Sequence, residues 1–152
     1  MDQWYFAYGS NLSKEQMEER IGSSREARVA WLTGYRLVFN KRSKKDGTGK
    51  ANIVPAAGAT VWGVVYRCSY DDLQKMDKCE GVKGGHYQRH AIRVQLDSGE
   101  ELDAVTYVAG ERFLAAESLK PSTEYLETII TGARQHRLPD DYIRSIEALA
   151  GS

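Results

Sequence analysis

Hydrophobic and polar positions alternate along this chain in a way that changes period several times. Trp4-Tyr5-Phe6-Ala7-Tyr8 is a short apolar run of strand type that stops at Gly9. Lys14 to Ile21 follows with helical spacing and ends at Gly22. Ala27 to Phe39 is rich in apolar and β-branched residues and predicts one long or broken strand, with Gly34 marking a bulge or bend. Asn52 to Pro55 predicts a short strand, and Ala59 to Cys68 (ATVWGVVYRC) carries the strongest central-strand pattern. Ser69 predicts the cap of a helix running through Lys78, with Asp72 completing a capping box. Tyr87–Leu96 and Glu101–Val108 predict two strands joined by a hairpin turn at Asp97-Ser98-Gly99. Pro121 and Ser122 open a helix to about His136. Pro139 opens a last one with Tyr142, Ile146 and Leu149 on one face. Strands early and helices late predict an α+β domain with a small closed or strongly curved mixed β-barrel flanked by helices. No linker or internal repeat interrupts it, so residues 1–152 are expected to form a single domain.

Composition narrows the classes. Apolar residues make up 41% and charged residues 28%, and 21 basic residues balance 21 acidic ones, a balance that gives no electrostatic case for nucleic acid or an anionic membrane. No stretch is long and apolar enough to span a bilayer, and Met1-Asp2-Gln3-Trp4 lacks the basic and apolar regions of a signal peptide. Two cysteines, Cys68 and Cys79, are too few for a disulfide framework, and a reducing cytoplasm is the expected setting. Cys79 is expected to be a packing residue. His86 and His90 sit four apart on a strand edge, about 13 Å along an extended chain, too far to share a metal. His136 falls at a helix C-terminus, where a cation suits the dipole. No metal site and no cofactor are expected. The basic run Lys41–Lys50 (KRSKKDGTGK) has no interleaved aromatics and is expected to be a solvated, mobile loop.

Two segments carry candidate chemistry. In Cys79-Glu80-Gly81-Val82-Lys83-Gly84-Gly85-His86-Tyr87, a lone carboxylate is followed by three glycines in five positions, a turn that brings backbone close to a ligand. A carboxylate held there can accept and return a proton. In Tyr5-Phe6-Ala7-Tyr8-Gly9-Ser10-Asn11-Leu12, a strand ends in a Gly-Ser-Asn turn. Ser13 is then expected to cap a helix, with Gln16 completing a capping box. Backbone N–H groups in such a turn suit a carboxylate ligand. Among nine tyrosines, Tyr8, Tyr87 and Tyr125 adjoin these segments, although a buried tyrosine most often serves packing with its hydroxyl bonded to backbone.

These segments, together with Val61-Trp62-Gly63-Val64-Val65, Pro121-Ser122-Thr123-Glu124-Tyr125 and the tail from Gly132-Ala133-Arg134 through Leu138-Pro139 to Tyr142, resemble the γ-glutamylcyclotransferases of Y-G-S-N type. The resemblance spans nearly the whole chain in order. It implies a compact β-barrel with flanking helices and release of 5-oxoproline from a small-molecule γ-glutamyl substrate. It further implies Glu80 as catalytic acid/base, Tyr8, Gly9, Ser10, Asn11 and Leu12 as the loop binding the glutamyl end, and Tyr87 and Tyr125 as substrate-contacting tyrosines. Removal of a γ-glutamyl protecting group from a biosynthetic intermediate, by the same chemistry, and a non-catalytic small-ligand or protein-binding domain of the same fold are the alternatives. A monomer or a homodimer is equally compatible. The basic loop departs from the family pattern and leaves the leaving amine open, as it does whether Gly9–Asn11 hold an α-carboxylate or an oxyanion.

Overall fold

The computed structural model describes residues 2–22 and 26–151; the expected domain bounds at Met1 and Ser152, and Ser23–Arg25 between them, lie outside the described residues. Five strands close into a barrel in the order β1-β3-β2-β4-β5. Strand β1 (Gln3–Ala7) pairs antiparallel with β3 (Gly49–Cys68), and β3 pairs along most of its length with β2 (Ala27–Arg42). Strands β4 (Tyr87–Leu96) and β5 (Glu101–Ala109) form the hairpin expected at Asp97-Ser98-Gly99. The barrel shuts where β1 meets β5 in parallel at Tyr5↔Val105, which makes it mixed. Side chains reinforce that seam: Thr106 Oγ1 donates to the Phe6 carbonyl at 2.8 Å and Tyr8 Oη to the Tyr107 carbonyl at 2.6 Å.

Phe6, Val61, Val64, Val65, Val94 and Leu96 are fully buried, and the adjacent Val64 and Val65, on opposite faces of β3, show that both faces of the strand are covered there. Helix α1 (Lys14–Ile21) and helix α2 (Tyr70–Cys79) pack Met17, Ile21, Leu73 and Met76 onto that core. Helices α3 (Thr123–Gln135) and α4 (Asp140–Gly151) add Ile129, Ile143 and Ile146. The α2 capping box forms in full, Ser69 and Asp72 each accepting from the other's backbone N–H.

Three expectations change here. Asn52–Pro55 and Ala59–Cys68 are parts of one strand, not two, because β3 bulges without leaving the sheet. Tyr35 faces Pro55 and Thr33 faces Thr60, so one residue of β2 opposes four of β3. Gly34 (φ +84°) and Gly58 (φ +80°) take the left-handed conformations that this distortion needs. His136 closes α3 as expected, but its ring meets Tyr66 Oη at 3.1 Å, and burial pushes its pKa down, against the cationic form. The basic run Lys41–Lys50 is not all loop: Lys41 and Arg42 end β2, Gly49 and Lys50 begin β3, and Lys41 is only 5% exposed.

Candidate active site

Glu80 is placed by the end of α2. Its amide closes the helix onto the Met76 carbonyl at 2.8 Å, and the chain then reverses at Gly81, whose φ of +66° is left-handed. A Cβ on Gly81 would come within 2.9 Å of the His86 ring, so glycine answers both conformation and space. The next turn, Val82–Gly84, returns to β4 through a bond from His86 N to the Gly81 carbonyl at 3.1 Å.

The Gly9-Ser10-Asn11 turn lies against Glu80. Ser10–Leu12 form one turn of 3₁₀ helix, and Ser13 then caps α1 by accepting from Gln16 N. The expected capping box is only half made. Gln16 Nε2 turns instead to Ser10 Oγ (2.7 Å) and Asn11 Oδ1 (2.8 Å), since these offer it two acceptors at once. Asn11 is buried and spends its whole amide on protein: Nδ2 donates to Glu80 Oε1 (2.9 Å) and Tyr5 Oη (2.8 Å), while Oδ1 accepts from Gln16 and from Arg20 Nη1 (3.0 Å). Arg20 Nη1 also donates to Glu80 Oε1 at 3.2 Å. Both donors that reach Glu80 from the described residues therefore meet the same oxygen, Oε1. Burial pushes the Glu80 carboxyl above its usual range; Arg20, Asn11 and Lys41 pull the other way.

A partly open cavity lies in front of Glu80. Tyr5, Tyr8, Tyr87, Tyr107 and Tyr125 wall it, and Gly9, Ser10 and Asn11 form its floor. Of the residues expected at the site, Glu80, Tyr8, Gly9, Ser10, Asn11, Tyr87 and Tyr125 are brought together. Leu12 is not: its side chain is fully buried in the core, because the 3₁₀ turn rotates it away from the cavity. Two of the three expected tyrosines give their protons to backbone. Tyr8 bonds the Tyr107 carbonyl, and Tyr87 bonds the Ala51 carbonyl at 2.8 Å. Tyr125 instead accepts from Ala51 N at 3.0 Å, a bond that does not use its own O–H; its pKa is pushed up to about 12, mainly by burial.

A larger, open vestibule shares Ser10, Glu80, Tyr87 and Tyr125 with this cavity and is lined further by Arg20, Lys41, Lys44 and Lys50. Cys79 also lines it and is exposed, correcting its expected packing role: it is the last residue of α2 and lies on the outer side of the turn. His86 and His90 serve separate partners, Lys41 Nζ (2.8 Å) and Tyr35 Oη (3.2 Å), and among the described residues no group of three His, Cys, Asp or Glu side chains is arranged to hold a metal ion.

Tyr5, Gln16, Arg20 and Tyr107 were not expected at the site, and Lys41 and Lys50 were expected only as the ends of a basic loop that a leaving group could face. A signal existed for two of them. Gln16 and Arg20 are i, i+4 on α1, on a different face from the buried Met17 and Ile21.

Comparison with known proteins bears on this arrangement directly. Residues 60–146 match the model of the AIG2-like family, a span that includes Glu80, Tyr87 and Tyr125. The mouse protein named gamma-glutamylcyclotransferase is 35% identical over 149 residues, covering 95% of this chain and 77% of the relative, and the human protein of that name matches to the same extent. A solved structure titled gamma-glutamyl cyclotransferase superposes with a TM-score of 0.87 at 32% identity, covering 97% of this chain and 88% of the other. The chain belongs to the γ-glutamylcyclotransferase family. Its mixed five-stranded barrel with four flanking helices is the fold of the γ-glutamylcyclotransferases, as the Y-G-S-N resemblance implied.

Proposed function

We propose that this member of the γ-glutamylcyclotransferase family cyclises a small γ-glutamyl compound, releasing 5-oxoproline and a free amine or amino acid, with Glu80 as the acid/base. The observation that carries the reading is the asymmetric hold on Glu80. Oε1 takes two donors, while the Glu80 side chain lines a tyrosine-walled pocket. In the reaction the substrate's α-nitrogen attacks its own γ-carbonyl carbon, forming the ring C–N bond as the side-chain amide C–N bond breaks. The attacking amine gives its surplus proton to Glu80 Oε2, and the same oxygen returns it to the departing nitrogen, so atoms and charge balance without water or an external nucleophile. Folding the glutamyl chain so that its two ends meet supplies the other contribution, up to about 7–11 kcal/mol for well-oriented intramolecular attack.

Gly9, Ser10 and Asn11 would meet the substrate through backbone N–H groups, since the Asn11 side chain is spent on Glu80 and Tyr5. Tyr8, Tyr87 and Tyr125 shape the cavity. No cofactor enters this scheme. We take residues 1–152 as one domain acting as monomer or homodimer. Two cysteines, too few for a disulfide framework, suit a reducing cytoplasm. Among the described residues no helix is long and apolar enough to cross a membrane.

Glu80→Gln keeps shape and both Oε1 bonds but cannot take the proton. Release of 5-oxoproline from γ-glutamyl-alanine should fall at least about a hundredfold in the folded variant. Near-normal release would overturn the assignment, and ligand binding without any release in the unmodified protein would favour the binding-domain alternative.

A further inference from the structure

The vestibule outside the glutamyl cavity is strongly cationic: Arg20 and Lys41 also act on Glu80, while Lys44 and Lys50 have no part in the chemistry above. Arg20, Lys41, Lys44 and Lys50 line it, and Glu80 is the sole carboxylate among its lining residues. Arg20 is committed to Glu80. Lys41 and Lys50 are direct cross-strand partners on β2 and β3, so their side chains project on the same face, an arrangement of like charges that costs stability. Lys41 is buried, and among the described residues no carboxylate lies within salt-bridge distance of either lysine. Asp46 attracts Lys50 from the exposed turn, but its carboxylate is engaged by Thr48 N and Oγ1.

What holds the lysines is aromatic. Lys41 Nζ sits 4.9 Å from the Phe113 ring centroid and 5.5 Å from that of Tyr87, and donates one hydrogen bond to His86 Nδ1, whose ring stacks on Phe113 at 4.0 Å. Lys50 Nζ sits 4.0 Å over Tyr125. Each ammonium has three N–H donors, so both keep donors free, and both stand at the two tyrosines shared by the inner cavity and the vestibule. A leaving group passing out between Tyr87 and Tyr125 meets these cations first.

We propose that the vestibule is a subsite for a leaving group bearing two carboxylates, so that the favoured substrates are γ-glutamyl derivatives of acidic amino acids. The inference rests on the cyclisation reading and deepens it. Two close, mutually repelling ammonium groups plus Lys44 exceed what one α-carboxylate neutralises; a second carboxylate on the leaving group relieves the remainder.

The test compares γ-glutamyl-glutamate with γ-glutamyl-glutamine, near-identical in shape and differing by one charge, and with γ-glutamyl-butylamine, whose leaving group has no carboxylate. The unmodified protein should show kcat/KM highest for the glutamate derivative, by about tenfold over the glutamine one, with the butylamine compound lowest. Raising ionic strength from about 0.05 M to about 0.5 M should narrow the ratio, since partly exposed charges are screened. Lys50→Gln should reduce kcat/KM for the glutamate derivative more than for the glutamine derivative. Equal kcat/KM for these two substrates, with 5-oxoproline released from both, overturns the subsite and leaves the cyclisation reading standing. Release from none of the three overturns both.

Discussion

Arg20 offers the most discriminating perturbation of the site, because it touches Glu80, the proposed acid/base, without belonging to the proposed reaction. Its Nη1 lies 3.2 Å from Glu80 Oε1, with the two side chains 25% and 14% exposed. At that separation and an effective dielectric of about 20, Coulomb attraction is about 5 kcal/mol. Solvent at the guanidinium reduces it, and charge-assisted hydrogen bonds of this kind are worth about 1.5–3 kcal/mol. Arg20→Met removes that preference for the anion while burial, the largest influence on Glu80, persists. The ratio of carboxylate to carboxylic acid at a given acidic pH should then fall roughly ten- to a hundredfold. Asn11 still holds Oε1, so the side chain stays in place.

The assay is kcat/KM for 5-oxoproline release as a function of pH. Because the base form does the work, activity on the acid limb is proportional to the carboxylate fraction. In Arg20→Met that limb should move to more alkaline pH, with activity recovering toward the unmodified value as pH rises. Arg20→Lys, which keeps the charge, should restore part of the shift. An acid limb superposing on that of the unmodified protein would refute the electrostatic argument. A loss of equal size at every pH would place Arg20 in substrate binding instead.

Two further outcomes test how the site is supported. A Cβ at Gly132 on α3 would lie within 2.6 Å of the Leu12 and Ser13 backbone, so Gly132→Ala should destabilise the fold by about 1–3 kcal/mol in a denaturant titration and weaken activity by displacing the Gly9–Asn11 turn; unchanged stability would mean the helix shifts freely. Tyr125→Phe removes the acceptor of the Ala51 N–H and should cost about 1–3 kcal/mol of stability together with a raised KM, read from the same titration and from steady-state kinetics.

What was legible in the sequence was local. The Ser69–Asp72 capping box, the Asp97-Ser98-Gly99 hairpin, the Gly34 bulge and the Ser122 cap depend on residues a few positions apart, and each forms. The turn holding Glu80 was legible because glycines announce it. What was hidden depends on pairing across the chain. Lys41 and Lys50 look like parts of a charged loop until β2 and β3 zip past the polar run and place them side by side at the barrel mouth. Arg20 looks like an ordinary last-turn cation on α1 until α1 and α2 pack and Glu80 arrives beside it. Leu12 sits inside a motif whose neighbours line the cavity, yet one 3₁₀ turn sends it into the core.

The asymmetric hold on Glu80 reconciles two demands that conflict for a buried carboxylate. Burial in that tyrosine-walled setting raises the pKa of the carboxyl and so works against the base form. Fully paired on both oxygens, it would remain anionic and surrender no proton to a departing nitrogen. Asn11 and Arg20 favour the anion through one oxygen only, opposing burial, which on the proposed mechanism leaves the other oxygen to exchange the proton. Asn11 can do this because Tyr5, Gln16 and Arg20 hold its own amide in one orientation, so the geometry of Glu80 is set by the N-terminal strand and α1 rather than by the glycine-rich turn that carries it. The turn carries Glu80, and the Y-G-S-N segment supplies both lining of the pocket and, through Asn11, a fixed partner for the proposed acid/base.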